Sequence, residues 1–472
     1  MKTQIRLTYC AALLLAITTA GLAQTASKKT PPPAPTGNGW SGASAISPLC
    51  QPDPTRGSQL NDMAVNASGA AIAAWDQYTY NFGFNASIGV ATQSGGKWAA
   101  PFTITGINGS SLSPRVAIGA DGTMAVSWTY QDPATQPTPQ QQKIQVAVKP
   151  AGSTTWTTTT LAQGIVGGVA ITQLVPIAVD ANGNVTAVWS LWNGAIHVVQ
   201  SATLPKGGSW TAPVTLAPGL DGMYPCLALN ARGDAAVAYT ISAYAYGTGT
   251  SAQYVYRPGL NGPWTSPVIV SEILSSSIGY VSSPLVALDA NGLATVAYFS
   301  YGVEAVRQLS AGTWTMPQVV LASPASGSSF GSIDLGADQN GNAVLACYIF
   351  DATIGVDRAS VYVSIGTPAG AWSPQQRLTD PTVPIDAYAP RVAVSPDGGL
   401  VLVGWIDHYH GNVQVSKLVH GVWGGANTIG RGTAFSSFQE ILTLDAASST
   451  IARAIWKNAR GGTQTMSSSF GK

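Results

Sequence analysis

Charged side chains recur at one position of a repeated hairpin motif, seven residues before the glycine of its turn. Five of eight repeats carry one there, in a chain of 472 residues of which only 9% are charged. They are Asp62, Arg115, Asp334, Arg391 and Glu440, the last placed by allowing its turn two extra residues. Two arginines can clamp a carboxylate, and nearby carboxylic acids can serve as acid or base. The alternative is that these opposite charges pair with one another and lock neighbouring repeats together.

The repeat that carries these residues reads apolar-Ala-x-Asp/Asn-x-x-Gly, followed by a second apolar stretch and an aromatic residue. Alternating apolar residues around a glycine turn predict a β-hairpin. A second motif, Gly-x-Trp-x-x-Pro in its fullest form, trails seven of the eight hairpins by some twenty residues or more, and Trp40 supplies an eighth copy ahead of the first hairpin. The eight hairpin copies end at Trp75, Trp128, Trp189, Tyr239, Tyr298, Cys347 (with Tyr348 next), Trp405 and Trp456.

The spacing of the repeats favours a β-propeller. Trp75 and Trp456 lie 381 residues and seven steps apart, about 54 residues per repeat, which suits a four-stranded blade. The last copy stops after its third strand, while residues 37–48 offer a lone strand near the N-terminus. Pairing the two leaves no open edge. We therefore predict one all-β domain over residues 37–472, an eight-bladed propeller whose last blade is closed by residues 37–48. Seven blades with one atypical copy is the alternative.

The segments GSWTAPV at Trp210 and GPWTSPV at Trp264 resemble the repeat of bacterial secreted sialidase-like propellers, the degenerate Asp-box or BNR-like type. The Ser/Thr-x-Asp-x-Gly box itself is absent before these tryptophans. The resemblance implies a propeller fold and, in its enzymes, inner-strand arginines that grip an acidic substrate. Those enzymes use three arginines and a Tyr/Glu nucleophile pair, whereas the only glutamates of this chain are Glu272, Glu304 and Glu440.

The N-terminal residues predict export. Lys2 and Arg6 precede an apolar run, so residues 1–23 have the form of a signal peptide cut near Ala23/Gln24, with an uncleaved membrane anchor as the alternative. Residues 24–36 form a Pro-rich linker. We expect a secreted or periplasmic protein without a membrane span. A formal charge of +1 excludes the basic face that nucleic-acid binding needs. No motif indicates a cofactor.

Aromatic residues are frequent in the loops between the second and third strands of the repeats. Exposed aromatic rings beside amides suit sugars or protein surfaces, although ordinary loop packing is the alternative. We therefore predict a secreted non-catalytic propeller that binds glycan or protein through this aromatic loop rim. The alternative is a sialidase-like glycoside hydrolase or lyase that uses the five charged residues of the repeated hairpins, which would form a charged funnel at the central channel of a propeller. The predicted ligand-binding residues are Tyr78, Tyr80, Trp192, Tyr244, Tyr246 and Tyr409.

Two smaller motifs complete the sequence. Asp407, His408 and His410 lie within four residues and form a weak candidate metal site, a solvated loop being the alternative. The propeller arrangement places Cys50, Cys226 and Cys347 too far apart to pair, so we predict no disulfide.

Overall fold

The computed structural model describes residues 39–47, 61–78, 86–106, 109–132, 141–165, 174–241, 250–273, 281–323, 328–350, 358–382, 386–431, 442–458 and 464–471. Within these ranges the chain is all-β, with small antiparallel sheets and no helix. No helix of the described part is long and apolar enough to cross a membrane. The predicted signal peptide and linker lie outside these ranges.

Strand pairing in the described residues gives seven sheets, whose strands we divide into eight sets called groups one to eight. Groups one and two share a nine-stranded sheet, joined by one parallel pairing of Ala86 with Ser110. Group one contains β2 (Asn61–Val65), β3 (Ala71–Tyr78), β4 (Ala86–Ser94), β5 (Lys97–Trp98) and β6 (Phe102–Thr103). Group two contains β7 (Ser110–Ile118), β8 (Met124–Gln131), β9 (Gln141–Lys149) and β10 (Thr157–Ile165).

The next four groups each form a separate sheet. Group three contains β11 (Ile177–Val179), β12 (Val185–Trp192), β13 (His197–Leu204) and β14 (Val214–Thr215). Group four contains β15 (Gly222–Leu229), β16 (Ala235–Ile241), β17 (Ser251–Arg257) and β18 (Val268–Ile269). Group five contains β19 (Ser282–Leu288), β20 (Ala294–Phe299), β21 (Val303–Ser310), β22 (Thr313–Trp314) and β23 (Gln318–Leu321). Group six contains β24 (Ser329–Ala337), β25 (Ala343–Phe350), β26 (Ala359–Gly366) and β27 (Gln376–Arg377).

The last two groups bring the chain termini together. Group seven contains β28 (Ala387–Val394), β29 (Val401–Asp407), β30 (Asn412–Val419), β31 (Val422–Trp423) and β32 (Asn427–Arg431). Group eight contains β33 (Leu442–Ser448), β34 (Ile451–Asn458), β35 (Gln464–Phe470) and the N-terminal β1 (Ser44–Ala45). The predicted pairing of the N-terminal strand with the third strand of the last repeat is confirmed, since Ser44 pairs with Ser467 and Ala45 with Met466.

The first strands of the groups contact one another in sequence. β2 contacts β7, β7 contacts β11, and the contacts continue through β15, β19, β24 and β28 to β33, which contacts β2. Between the groups lies a core of Val, Ile, Ala and aromatic side chains. The aromatic residues that end the hairpin motifs are at most 1% exposed: Trp75, Trp128, Trp189, Tyr239, Tyr298, Trp405 and Trp456. They are the largest fully buried side chains among the residues that the structure describes.

The hairpin turns are closed by their own side chains. In group three, Asp180 Oδ1 accepts hydrogen bonds from the main-chain N–H groups of Asn182 and Asn184, both at 2.9 Å. Gly183 lies in the left-handed region with φ of 86°, where a side chain would be strained. The Asp-x-Asn-Gly segments are therefore Asx-type turns, as their composition indicates.

Both cysteines in the described ranges are free thiols. Cys347 is fully buried on β25, and Cys226 lies on β15 of another group. Cys50 lies outside the described residues.

Candidate functional site

The hairpin registers place the residues that lie seven positions before the turn glycines at one common level of the first strands. In a propeller these strands line the central channel. Each of these residues pairs with the residue that precedes the aromatic residue, or Cys347, on the second strand. Thus Asp62 pairs with Ala74, Arg115 with Ser127, Cys226 with Ala238, Leu285 with Ala297, Asp334 with Ala346 and Arg391 with Gly404. In group three, Pro176 O accepts from Val188 N at the same level. We call this set the channel level.

In group eight, the residue at the channel level is not the one that the sequence repeat predicts. Its hairpin pairs Thr443 with Ile455, the residue before Trp456, so Thr443 holds the channel-level position. The register shifts between Ala446 and Ser448 and absorbs the irregular, glycine-free turn. Glu440, which the alignment put at this level, lies outside the described residues.

Two carboxylates of the channel level each hold the adjacent strand. Asp62 Oδ2 accepts a hydrogen bond from Val116 N at 2.8 Å, and Asp334 Oδ2 accepts from Val392 N at 2.7 Å. The donors directly follow Arg115 and Arg391 in the sequence. Each acid is thus fixed beside an arginine of the next group, and the Asp62/Arg115 and Asp334/Arg391 couples have the same construction. This geometry supports a locking role for the carboxylates, and it sets the position of the arginines.

The channel level also gathers residues from non-adjacent groups around Cys226. Burial raises the pKa of the Cys226 thiol, the Asp334 carboxylate raises it further, and the Arg115 guanidinium lowers it. These three residues belong to groups four, six and two. Charges from separate groups therefore act on the same thiol.

β-bulges interrupt the first strands just before this level. Registers shift between Leu112 and Arg115, and between Tyr388 and Arg391, with equivalent shifts in groups four, five and six. The residue two positions before the channel level has a positive φ in four groups: Ser113 (61°), Tyr224 (53°), Ser283 (51°) and Ala389 (51°). Non-glycine residues rarely adopt this conformation, and its recurrence at one position is typical of functional strain.

Asp445 is a functional candidate that the repeat alignment did not single out. It lies on β33, half-buried, and its Oδ2 accepts a hydrogen bond from Val65 N at 2.8 Å. Burial raises the pKa of this carboxyl, against hydrogen bonds from the main chain of Val65 and Ala446, which lower it. A carboxyl whose ionised form is held at a cost in stability is a candidate for function.

Replacing Asp445 with asparagine is expected to stabilise the protein at pH 7.5 by about 1 kcal/mol, because the amide oxygen still accepts from Val65 N without a buried charge. The folded-state pKa is raised, so the penalty in the wild type is absent below the unfolded-state pKa, grows as pH rises above that value, and is complete once pH has passed the folded-state pKa. Urea unfolding midpoints at pH 7.5 and pH 3.5 test this. A variant less stable than wild type at both pH values would contradict it.

An aromatic cluster lies where groups six and seven meet. It is at the N-terminal end of the first strand of group seven, just before the bulge. The ring of Tyr388 is 5.3 Å from Tyr348, 5.8 Å from Phe350 and 6.0 Å from His408, measured between centroids. His408 Nδ1 lies 3.6 Å from Asp386 Oδ2. Tyr388 precedes Arg391 by three residues on β28, so the cluster adjoins the channel level. Loop composition alone did not reveal this set, because its aromatic members come from two strands, β25 and β28, and from the loop that holds His408.

A histidine beside a carboxylate occupies the corresponding end of group three. His197 Nδ1 lies 2.9 Å from Asp221 Oδ1, the same oxygen accepts from His197 N, and the ring of Trp192 is 4.9 Å away. A carboxylate at Nδ1 orients the imidazole and leaves Nε2 as the second nitrogen. The contact with Asp221 gives His197 a defined orientation.

The predicted rim residues fall in different sheets. Trp192 is half-buried at the end of β12, while Tyr409, on the loop between β29 and β30, is 64% exposed and its ring is 5.0 Å from His410. Tyr78 ends β3. The other three predicted ligand-binding residues, Tyr80, Tyr244 and Tyr246, lie outside the described ranges.

The Asp407, His408 and His410 segment does not gather around one point. His410 Nδ1 lies 2.5 Å from Asp407 Oδ2, whereas His408 is directed to Asp386. In the part of the chain that the structure describes, no three His, Cys, Asp or Glu side chains could jointly hold a metal ion. The histidines serve as partners of carboxylates on a solvated loop.

Comparisons with known proteins give similarity at the level of solved structures. No family model matches the chain, and no curated protein matches it. A polysaccharide lyase superposes with a TM-score of 0.46 at 9% identity, covering 74% of this chain and 88% of that one. An ulvan lyase gives 0.44 at 12%, covering 84% and 95%. An α-L-arabinofuranosidase from Fusarium graminearum gives 0.44 at 11%, covering 91% and 98%. The chemistry of the site is therefore taken from this chain's own residues.

Proposed function

We propose that this chain is an eight-bladed β-propeller that binds an acidic saccharide at the bulged end of its channel. The eight groups are the blades, and β1 closes the last of them. The sequential contacts of the first strands, ending with β33 against β2, support the ring. The main support for binding of an acidic saccharide is the channel level. There Arg115 and Arg391 occupy matching positions beside Asp62 and Asp334.

The recognition follows from the chemistry of the two neighbouring sets. Guanidinium groups bind carboxylates and sulfates with paired, charge-assisted hydrogen bonds. Aromatic faces such as that of Tyr388 stack on the apolar faces of sugar rings. Because Tyr388 and Arg391 lie three residues apart across a bulge, one saccharide can contact both. Residues 1–23 would direct the protein out of the cytoplasm. Acidic polysaccharides occur outside the cytoplasm.

Arg391→Gln is expected to weaken binding of a carboxylated oligosaccharide by at least tenfold, since a hydrogen bond to a charged group contributes about 1.5–3 kcal/mol. A glycan array with carboxylated, sulfated and neutral oligosaccharides identifies the ligand, and calorimetry then measures the affinity of the wild type and the variant. Neutral oligosaccharides should lose much less affinity.

Arg232→Gln is the matched control, because Arg232 sits at the opposite end of its strand pair, is largely exposed and contacts Asp234 on its own turn. It should bind like the wild type. Absence of acidic-glycan binding by the wild type, or equal losses in both variants, would overturn the proposal.

Cleavage of the bound saccharide is the second candidate function. The observation that favours it is the oriented His197, whose contact with Asp221 matches what a general base needs. His197→Gln would then abolish turnover in a hydrolase and lyase screen, while the affinity for the ligand stays within about threefold. Binding without any turnover by the wild type would leave the non-catalytic function.

A further inference from the structure

A pocket of about 350 Å³ lies on the outer side of the junction between groups seven and eight. Its walls include the rings of Trp40 and Phe470, the side chains of Lys417 and Val415, and the main chain at Gly424 and Gly425. The volume is within the range of small-molecule sites. None of the channel-level residues lines it, so it is distinct from the site described above.

The two rings form a fixed aromatic wall. Trp40 is only 8% exposed, its main chain bridges to Phe470, and the ring centroids are 5.5 Å apart with an interplanar angle of 58°. Trp40 also belongs to the buried cluster that contains Leu402 and Val415 of group seven. The wall is therefore anchored in the core rather than carried by free side chains.

The charge of the pocket comes from Lys417. Its ammonium lies 5.1 Å from the centroid of the Phe470 ring, and the side chain is half-buried. Among the residues that the structure describes, no carboxylate pairs with Lys417. Val419 at the margin is 47% exposed, so the pocket opens beside an apolar edge. A half-buried cation between aromatic and apolar walls is complementary to an anion with an apolar face.

We propose that this pocket binds a small organic carboxylate whose body is a ring with an apolar face, the carboxylate meeting Lys417 and the ring lying against Trp40 and Phe470. A uronic acid and an aromatic acid share this chemistry. A uronic acid would be a sugar unit bound away from the channel. An aromatic acid would be a metabolite unrelated to the saccharide of the channel.

Gly425 gives a way to block the pocket without disturbing the core. A Cβ built on Gly425 meets open space, with nothing within 4 Å. Gly425→Leu should therefore fill the opening while leaving Trp40 and Phe470 in place. Lys417→Met removes the charge and keeps an unbranched side chain over the ring.

The experiment measures binding of three probes to the full chain by ligand-observed NMR and calorimetry: glucuronate, benzoate and neutral methyl glucoside. We expect glucuronate or benzoate, or both, to bind, methyl glucoside to bind at least tenfold more weakly, and Lys417→Met to lose about tenfold in affinity. Gly425→Leu should abolish binding. The stronger of the two acids identifies the source of the ligand.

Lys97→Met is the control, because Lys97 is an exposed lysine on β5 of group one and does not line the pocket. It should bind as the wild type does. Equal binding by Lys417→Met and wild type, retained binding in a folded Gly425→Leu, or failure of both acids to bind would overturn the proposal. Arg391→Gln should leave this binding unchanged, so failure here is distinguishable from failure of the channel proposal.

Discussion

Replacing Asp289 with alanine is expected to lower the free energy of unfolding by about 3–5 kcal/mol, the range found when one partner of a buried ion pair is removed. Asp289 Oδ2 accepts from Arg307 Nη2 at 2.6 Å, and the two side chains are 2% and 3% exposed. Without the carboxylate, the Arg307 guanidinium keeps hydrogen bonds to Leu293 O and Thr295 Oγ1 but no counter-charge. Urea unfolding midpoints measure the loss.

Asp338→Ala is the matched control for this effect. Asp338 caps the same kind of turn, with its Oδ1 accepting from Asn340 N and Asn342 N, but its second oxygen meets the Asn342 amide rather than a cation. Its loss should cost about 1–2 kcal/mol, the sum of turn hydrogen bonds. The double variant Asp289→Ala/Arg307→Met should recover much of the difference. Equal costs for the two single variants would show that the turn, not the ion pair, supplies the stability.

The sequence predicted the hairpins well because two local signals agree in each repeat. Residue alternation sets which face a strand buries, and a glycine with positive φ sets where the chain reverses, as at Gly122 and Gly292. Counting back from that glycine therefore reached the correct register for Arg115 and Asp334. Where the turn lacks glycine, as before Thr450, the count had no anchor, and the channel position went to Glu440 instead of Thr443.

The remaining features depend on contacts between residues far apart in the sequence. Val65 N donates to Asp445 across 380 positions, and no local pattern marks either residue as a partner. The pocket between Lys417 and Phe470 likewise arises from packing between groups. The aromatic cluster around Tyr388 combines strands that are distant in the chain. Such sites follow from tertiary packing, which composition and periodicity do not encode.

The proposed ring closure predicts a sharp boundary for N-terminal truncation. A chain that starts at residue 37 should be as stable as the full chain, because the first described strand is intact.

A chain that starts at residue 48 should be destabilised by about 5 kcal/mol or more. It loses Trp40 and Ile46, which are 8% and 5% exposed, and large-to-small changes at such sites cost about 2–5 kcal/mol each. It also loses the main-chain bonds from Ser41 N to Ser469 O and from Ile46 N to Thr465 O, which leaves β35 as an open edge that favours aggregation. Thermal unfolding and light scattering of the two truncated chains test both effects.

A synthetic peptide of residues 37–48, added in excess to the shorter chain, should restore its stability by pairing with the exposed strand β35. If the two truncated chains unfold at the same temperature, or the peptide has no effect on the shorter one, the N-terminal strand does not close the proposed ring, and contacts such as those of β2 with β33 and β34 hold the first and last groups together.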